Sequence, residues 1–512
     1  MSTIKKLLLV AMVCVFCLAV VACGGDDNKT NTTDNKTETK PTATPTTAQT
    51  TQDTPTPAPD TPTPDVPDRD LGGLAVIVGD WWSGDNWSFS RNSTAEELTA
   101  DWQDEMMEKY HYTITRKTIC GWGDQADTCI LSITTNEPLA QVMTFDYRFI
   151  GSFMAQEEPL FADVSKLSEF NFSDAKWNKY VVDSMTVGSA IYGFANGNEP
   201  RTGIYFNKDL IEKFLGKEYR EKPYDWQASK EWTWAKFKEF AQSLTKDTDG
   251  DGVIDVYGFL IQNSVFAEMA MVSNGCHAVV TRNADGKYVN NCSSQEIIDD
   301  LNWAYSFYTD KISRPAMEDE QSWDFFETRW QEQKCVMIAH DEYRASAFID
   351  NLKDDDGNVI GRAFDFDWGF VCFPMGPSVT NYQPVARENV NVIVNCEATK
   401  SQLADIAFAY NIFTDKAPEV KDDPSAWKAQ YENLFRDSRA VNETLDIMIN
   451  GPVAPFANPS YIVPGLYDNS NGLIQAKFYY SFDGAQTPAE LLASLSSEID
   501  SAINDFNATR VK

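Results

Sequence analysis

An unbroken apolar run from Leu7 to Ala22, preceded by Lys5 and Lys6, opens the chain, and no second run of that length follows it. The run is shorter than the ~20 residues a membrane-crossing helix needs, and its layout is that of a secretory signal over residues 1–22. From Gly24 to about Asp70 the pattern disappears. This stretch is dominated by Thr, Pro, Asp, Asn, Lys and Gln, with no aromatic residue, so it cannot bury enough apolar surface to offset its ordering entropy. Repeated Thr-Pro units make residues 23–71 an extended spacer, on the order of 100 Å long at about 3.1 Å per residue. From Gly72 onward apolar runs alternate with helical periodicity. Leu74–Val78 predicts a buried strand running into Gly79, Asp80, Trp81 and Trp82. Thr94 and Glu97 have capping-box spacing ahead of a periodic helix to about Tyr110, and Tyr112–Thr115 and Leu139–Thr144 predict further strands. Alternating strands and helices of these lengths predict a parallel α/β sheet. Ligands of such sheets bind beyond the carboxyl ends of the strands, which places Trp81, Trp82 and Asp146 on one edge. A body of about 440 residues is too large for one core and predicts two lobes.

Charge narrows the function classes. A formal net charge of -33 argues against nucleic acid or an anionic membrane surface as ligand. The chain has only three histidines, His111, His277 and His340, and no Gly-x-Ser-x-Gly elbow, His-Glu-x-x-His motif or phosphate-binding glycine loop. No nucleotide site and no catalytic residues are expected, and His340, following an apolar strand, reads as a packed residue. Among the cysteines of the body, the short separations Cys120–Cys129 and Cys276–Cys292 suit local disulfides in an exported protein. Cys335, Cys372 and Cys396 sit in apolar runs and read as small buried residues; the odd total leaves at least one thiol free.

The segment from Asp247 to Asp255 spaces carboxylates two residues apart around glycines. Oxygens of Asp247, Asp249 and Asp251, the Val253 carbonyl and Asp255 form a candidate structural Ca²⁺ set, although the twelfth position, where an EF-hand has Glu, is Gly258. The run Asp354, Asp355, Asp356, Gly357, Asn358 lacks that alternation and reads as a solvated turn.

Two resemblances carry the functional reading. Val20, Val21, Ala22, Cys23, Gly24 resembles a bacterial lipobox, with Cys23 as the lipidated first mature residue and Val20 where Leu is usual. Ile191 to Leu210, with Tyr205, Asn207, Lys208 and Asp209, resembles the hinge-crossing segment of sugar-type extracellular solute-binding proteins of ABC importers (family 1). Further matching segments follow in the family's order: Glu231–Phe237 with its Trp-Thr-Trp, Lys334–Ala339 with Glu342–Arg344, Asp367–Phe370 with Phe373–Pro377, and the Ala404–Thr414 helix. Gln333 stands where the family has Gly before the lysine, and Val336 where it has a small residue before the methionine.

The resemblance implies a periplasmic-binding-protein-like α/β fold of two lobes joined by a multi-crossing hinge. Lobe 1 is expected at 72–198 plus 377–415, and lobe 2 at 199–376 plus 416–512. It implies a non-enzymatic, monomeric receptor on the outer face of the cell membrane, held by lipid on Cys23. The receptor would capture a carbohydrate between the lobes and deliver it to ABC permease subunits. The alternatives are a sugar-sensing receptor for a membrane kinase and a lipoprotein glycoside hydrolase. Sugar recognition needs aromatic faces beside hydrogen-bonding carboxylates and amides. The candidate ligand residues are Trp81, Trp82, Asp146, Asn196, Asn198, Glu199, Arg201, Asn263, Glu342, Tyr343 and Arg344, with the loop Gly451–Tyr461 as a possible rim.

Overall fold

The apolar runs become the strands of two four-stranded sheets, each the centre of one α/β lobe. A computed structural model describes residues 69–509 except 321, 323, 350, 354–358, 363, 388 and 468–471. The signal, Cys23, the Thr/Pro stretch and the Asp354–Asn358 turn lie outside the described residues. Among the described residues no helix is long and apolar enough to cross a membrane.

The first sheet holds β1 (Leu74–Asp80), β2 (Tyr112–Thr118), β3 (Val142–Phe145) and, from far along the chain, a strand at Val390–Ile393. Its order is Val390–Ile393, β3, β1, β2. β1 runs parallel to both neighbours, with Leu74 opposite Tyr112 and Val78 opposite Val142, while Val390–Ile393 is antiparallel to β3. Gly79 in β1 permits this closeness: a Cβ there would lie 2.5 Å from Ile119 Cδ1 and 2.8 Å from Ala140 Cβ.

The second sheet holds β4 (Gly203–Asn207), β5 (Tyr257–Leu260), β6 (Cys335–His340) and β7 (Trp368–Cys372), in the order β7, β4, β6, β5. β6 is parallel to β5, whereas β4 is antiparallel to both β6 and β7. Every residue of β4, β6 and β7 is buried, which is why these strands read as continuous apolar runs rather than alternating ones.

Local signals set several boundaries. Asn207 caps the helix Lys208–Leu215 by accepting from the Leu210 N–H at 2.9 Å, and Thr233 caps Trp234–Leu244. The helix Thr94–Tyr110 is capped one residue earlier than expected, by Ser93, and the Glu96 carboxylate, not Glu97, reaches back to the Asn92 N–H at 2.9 Å. The helix Leu403–Phe413 packs on the first sheet. Gln333, standing where the resembled family has glycine, holds that left-handed backbone at φ 58°, a conformation uncommon for a residue with a Cβ. The folded body also begins slightly ahead of Gly72. Arg69 pairs with Asp405 at 2.6 Å and Glu169 at 3.0 Å, and Leu71 is buried.

All seven cysteines of the body are free thiols in the structure. The Cys120 and Cys129 side chains are hydrogen-bonded to each other, and Cys276 contacts Gln383. Cys335 and Cys372 are buried as expected, while Cys396 is only half-buried.

Candidate functional site: a cleft between the sheets

Strand ends from both sheets converge on one cleft of about 590 Å³. β1 ends in Asp80, a buried carboxylate that accepts from the Trp82 N–H at 3.0 Å and the Ser83 N–H at 2.8 Å. This turn presents two adjacent indoles. Trp81 and Trp82 meet edge to face with centroids 4.5 Å apart, and Trp82 remains 49 % exposed. Asp80 thus positions the indoles from beneath without lining the cleft itself.

β3 ends in Asp146. Arg148 binds it with two parallel bonds, Nε to Oδ1 at 2.8 Å and Nη2 to Oδ2 at 2.6 Å, and the Trp122 indole N–H donates to Oδ2 at 3.3 Å. Burial opposes the charge on Asp146, but Arg148 outweighs it and holds the carboxyl below its usual range. The Arg148 guanidinium lies 5.3 Å from the Trp122 ring centre, so one arginine fixes both a carboxylate and an aromatic face.

From the second sheet, β6 runs out at Asp341, Glu342 and Tyr343. Asp341 accepts from Thr202 at 2.5 Å and pairs with Arg387 at 3.2 Å. Burial, the largest single influence, opposes its ionisation, but Arg387, His340, Arg201 and the Thr202 bond together outweigh it and lower its pKa to about 2. Glu342 behaves oppositely: burial raises its pKa to about 8, offset only in part by Arg201. The Tyr205 hydroxyl, from β4, donates to the carbonyls of both Asp341 and Glu342 at 3.1 and 3.0 Å. Tyr343 stays 47 % exposed, with the Arg201 guanidinium 5.9 Å from its ring centre. His340, just upstream, is buried, and burial depresses its pKa to about 3, so it is a neutral packed ring.

The late chain completes the enclosure. Tyr431 and Leu434 reach the cleft from the Ala429–Glu432 helix region, and Tyr461 from the loop beyond Gly451. Tyr461 donates to Glu268 at 2.8 Å and packs against Tyr147, centroids 5.0 Å apart. Glu268 also faces Arg387 Nε at 3.2 Å.

The structure therefore brings together Trp81, Trp82, Asp146, Glu199, Arg201, Glu342 and Tyr343. Four expected residues do not line the cleft. Asn198 accepts from Asn178 at 2.9 Å, and Asn196 bridges in β fashion to Trp177. Asn263 accepts from the Tyr308 hydroxyl at 2.9 Å. Arg344 is turned by the short helix Glu342–Arg344 onto Glu327, Nε to Oε1 at 2.9 Å. Sequence reasoning missed Trp122, Arg148, Asp341 and Arg387. Asp341 immediately follows a predicted strand and was open to the rule that selected Asp146; Arg387 carried no local signal.

The acidic loop lies apart from the cleft lining. Carboxylate oxygens of Asp247, Asp249 and Asp255 lie within 4.8 Å of one another. Asp251 is not in this set, and its carboxylate accepts from the Val253 N–H at 2.7 Å. Asp247 accepts from Gly250 and Gly252 N–H groups at 2.7 and 2.8 Å, and Asp255 from Thr248 N–H at 2.7 Å. The Gly252 and Gly250 bonds hold Asp247 below its usual range, and the Thr248 hydroxyl, then its N–H, do the same for Asp255. The oxygen chemistry fits a hard divalent cation.

Bacterial extracellular solute-binding proteins match this chain over residues 86–410. No curated protein matches it in sequence. Among solved structures it is similar to the sugar-binding protein MalE from Xanthomonas citri at 12% identity, TM-score 0.55, over 84% of this chain and 98% of that one. It is also similar to the cyclic alpha-maltosyl-1,6-maltose binding protein from Arthrobacter globiformis at 13% identity, TM-score 0.55, over 85% and 100%. A third is MalE from Listeria monocytogenes in complex with maltose, at 14% identity, TM-score 0.53, over 86% and 99%. At these identities the structures attest the periplasmic-binding-protein-like fold. With more than half of its length matched, the chain belongs to the bacterial extracellular solute-binding protein family.

Proposed function

We propose that this protein captures a neutral oligosaccharide between its two lobes and hands it to the membrane subunits of an ABC permease. The observation that carries this reading is the cleft lining. Trp81, Trp82, Trp122, Tyr343, Tyr431 and Tyr461 all line the cleft, offering flat apolar faces to the C–H surfaces of sugar rings. Between them, Arg148, Arg201 and Arg387 are each engaged by carboxylates of the protein itself, leaving polar edges for hydroxyls without a cation reserved for an anionic ligand. The similarity to maltose- and maltosyl-maltose-binding structures supports the same class. Ligand contacting both lobes would favour a closed arrangement by its differential contacts.

The same reading places the protein on the outer face of the membrane as a monomer, tethered by lipid on Cys23. It assigns 72–198 plus 377–415 to one lobe and 199–376 plus 416–512 to the other. It also gives the Asp247–Asp255 loop a bracing Ca²⁺ held by Asp247, Asp249 and Asp255. Calorimetry with maltose, maltotriose and a non-glucan trisaccharide tests the central claim. Saturable heat with at least one saccharide is expected, and none with any would overturn it. Palmitate labelling of the full chain in a bacterial host, lost in Cys23→Ala, tests the anchor.

A further inference from the structure

Among the described residues, the cleft floor sets three buried carboxylates, Glu268, Asp341 and Glu342, against two guanidinium groups, Arg201 and Arg387. The exposed Glu199 makes a further claim on Arg201. Arg387 divides its guanidinium between Asp341 and Glu268, at 3.2 Å each. Arg201 pairs closely with Glu199 through Nη2 and reaches Glu342 Oε1 only at 3.5 Å through Nη1. Glu342 is the surplus acid. Its side chain is 5 % exposed, and its Oε2 is buried with no hydrogen-bond partner.

Among the described residues, the remaining groups add no cation to this count, although the N–H of Glu342 itself bonds its carboxyl and favours the charge in part. Tyr205, from β4, donates to the Glu342 main-chain carbonyl, not to its carboxyl. Tyr431, from the helix at Ala429–Glu432, feels Glu342 and Glu199 together as negative neighbours. Asp341, on the same segment, adds a further negative charge. A buried carboxylate with like charges on two sides and a shared, distant cation resolves the conflict by keeping its proton.

We propose that Glu342 stands in the cleft as an uncharged carboxylic acid whose O–H donates a hydrogen bond to an oxygen of the bound saccharide. The inference rests on the saccharide reading for the identity of the acceptor, but not for the state of the acid. In this role Glu342 is a specificity residue. It favours a ligand that brings a hydroxyl, ring or glycosidic oxygen, and it offers no fixed negative charge to a protonated amine. An ionised Glu342 would do the reverse and select amino sugars.

Two measurements separate these possibilities. Difference infrared spectroscopy of the ligand-free full chain, wild type against Glu342→Gln, is expected to show one carboxylic-acid carbonyl that is present at neutral pH, titrates near 8 and is missing in the variant. Titration of the isotope-labelled wild type alone provides the same reading if the variant folds poorly. Calorimetry with maltotriose, run in buffers of different ionisation enthalpy just above that pH, is expected to show proton uptake on binding by wild type and none by Glu342→Gln. A carboxylate band at neutral pH, or tighter binding of a glucosamine trimer than of maltotriose, overturns the proposal. If no saccharide binds while the acid band is present, the carbohydrate reading and the donor role fall, and the uncharged state of Glu342 stands by itself.

Discussion

The acidic loop at Asp247–Asp255 and the floor of the cleft are built from the same side chains and obey opposite physics. In the loop the carboxylates are exposed, and their partners are N–H groups within a few residues, such as Gly250 and Gly252 for Asp247. Those bonds favour the charged form, and water supplies the rest of the solvation. On the cleft floor the carboxylates are buried and their partners are far away in sequence: Arg387 comes to Asp341 across 46 residues. There each charge survives only where a guanidinium sits against it. Asp341 keeps its charge and Glu342, its neighbour in sequence, does not. Local hydrogen bonding shapes an acidic loop that sequence can announce; long-range pairing decides protonation in a way sequence cannot.

The sharpest way to break the contrast is to remove Arg387. Arg387→Met leaves Asp341 and Glu268 buried without their shared partner, and the expected loss is about 3–5 kcal/mol of stability, read by urea unfolding. Asp251→Asn in the loop, which disturbs only an exposed turn, is expected within about 0.5 kcal/mol of wild type by the same measurement. Comparable losses from the two would abolish the distinction.

Protonation gives the second test. The folded pKa of Glu342 lies near 8, above the ~4.3 of an unfolded glutamate. Between those values the folded state holds a proton that the unfolded chain has released, so stability falls as pH rises through the window and levels off above about 8. Glu342→Gln is expected to remove that decline and to gain on wild type at alkaline pH by on the order of 2–3 kcal/mol. Asp341 works with the opposite sign. Its pKa is lowered to about 2, so its contribution is present above ~3.9 and disappears as pH falls toward 2. Unfolding midpoints across pH for wild type, Glu342→Gln and Asp341→Asn check both directions.

For ligand binding, Trp82→Ala is expected to weaken maltotriose affinity by more than about tenfold, or ~1.4 kcal/mol. With Trp82 half-exposed at the end of β1, its removal opens no core cavity, so the melting temperature should hold. Unchanged affinity in calorimetry would remove Trp82 from the site.

What was legible in the sequence follows the same division. Strands buried on both faces announced themselves as apolar runs, and the Thr94/Glu97 spacing marked a helix start to within one residue. Trp81, Trp82 and Asp146 were found because a residue just past a parallel strand points at the ligand edge whatever its partners are. Arg344 and Asn263 satisfied the same positional rule and failed it, because a single turn of helix rotates one onto Glu327 and a tyrosine hydroxyl claims the other. Trp122 was missed because its place depends on a contact with Asp146 across 24 residues. Arg148 is two residues beyond Asp146 and was open to a local reading. In the loop, alternation predicted Asp251 among the set; the carboxylates of Asp247, Asp249 and Asp255 lie within 4.8 Å of one another, and Asp251 stands outside that group, accepting from the Val253 N–H.

That last detail yields the smallest and most discriminating prediction. Three carboxylates at mutual distances within 4.8 Å repel one another, and the loop offsets this by hydrogen bonds from its own backbone and the Thr248 hydroxyl, with Lys334 nearby. A bound Ca²⁺ would relieve the repulsion, stabilising the body by about 0.4 kcal/mol when free calcium equals its dissociation constant and more above it. Thermal unfolding in calcium against chelator is expected to show a small rise in melting temperature with calcium. Asp247→Asn should abolish the rise because it removes a ligand oxygen charge, whereas Asp251→Asn should preserve it. Loss in both variants would mean that the alternating pattern, not the folded geometry, describes the site. Persistence in both, or no rise in wild type, would mean that the loop is a backbone-capped turn whose charges face only water.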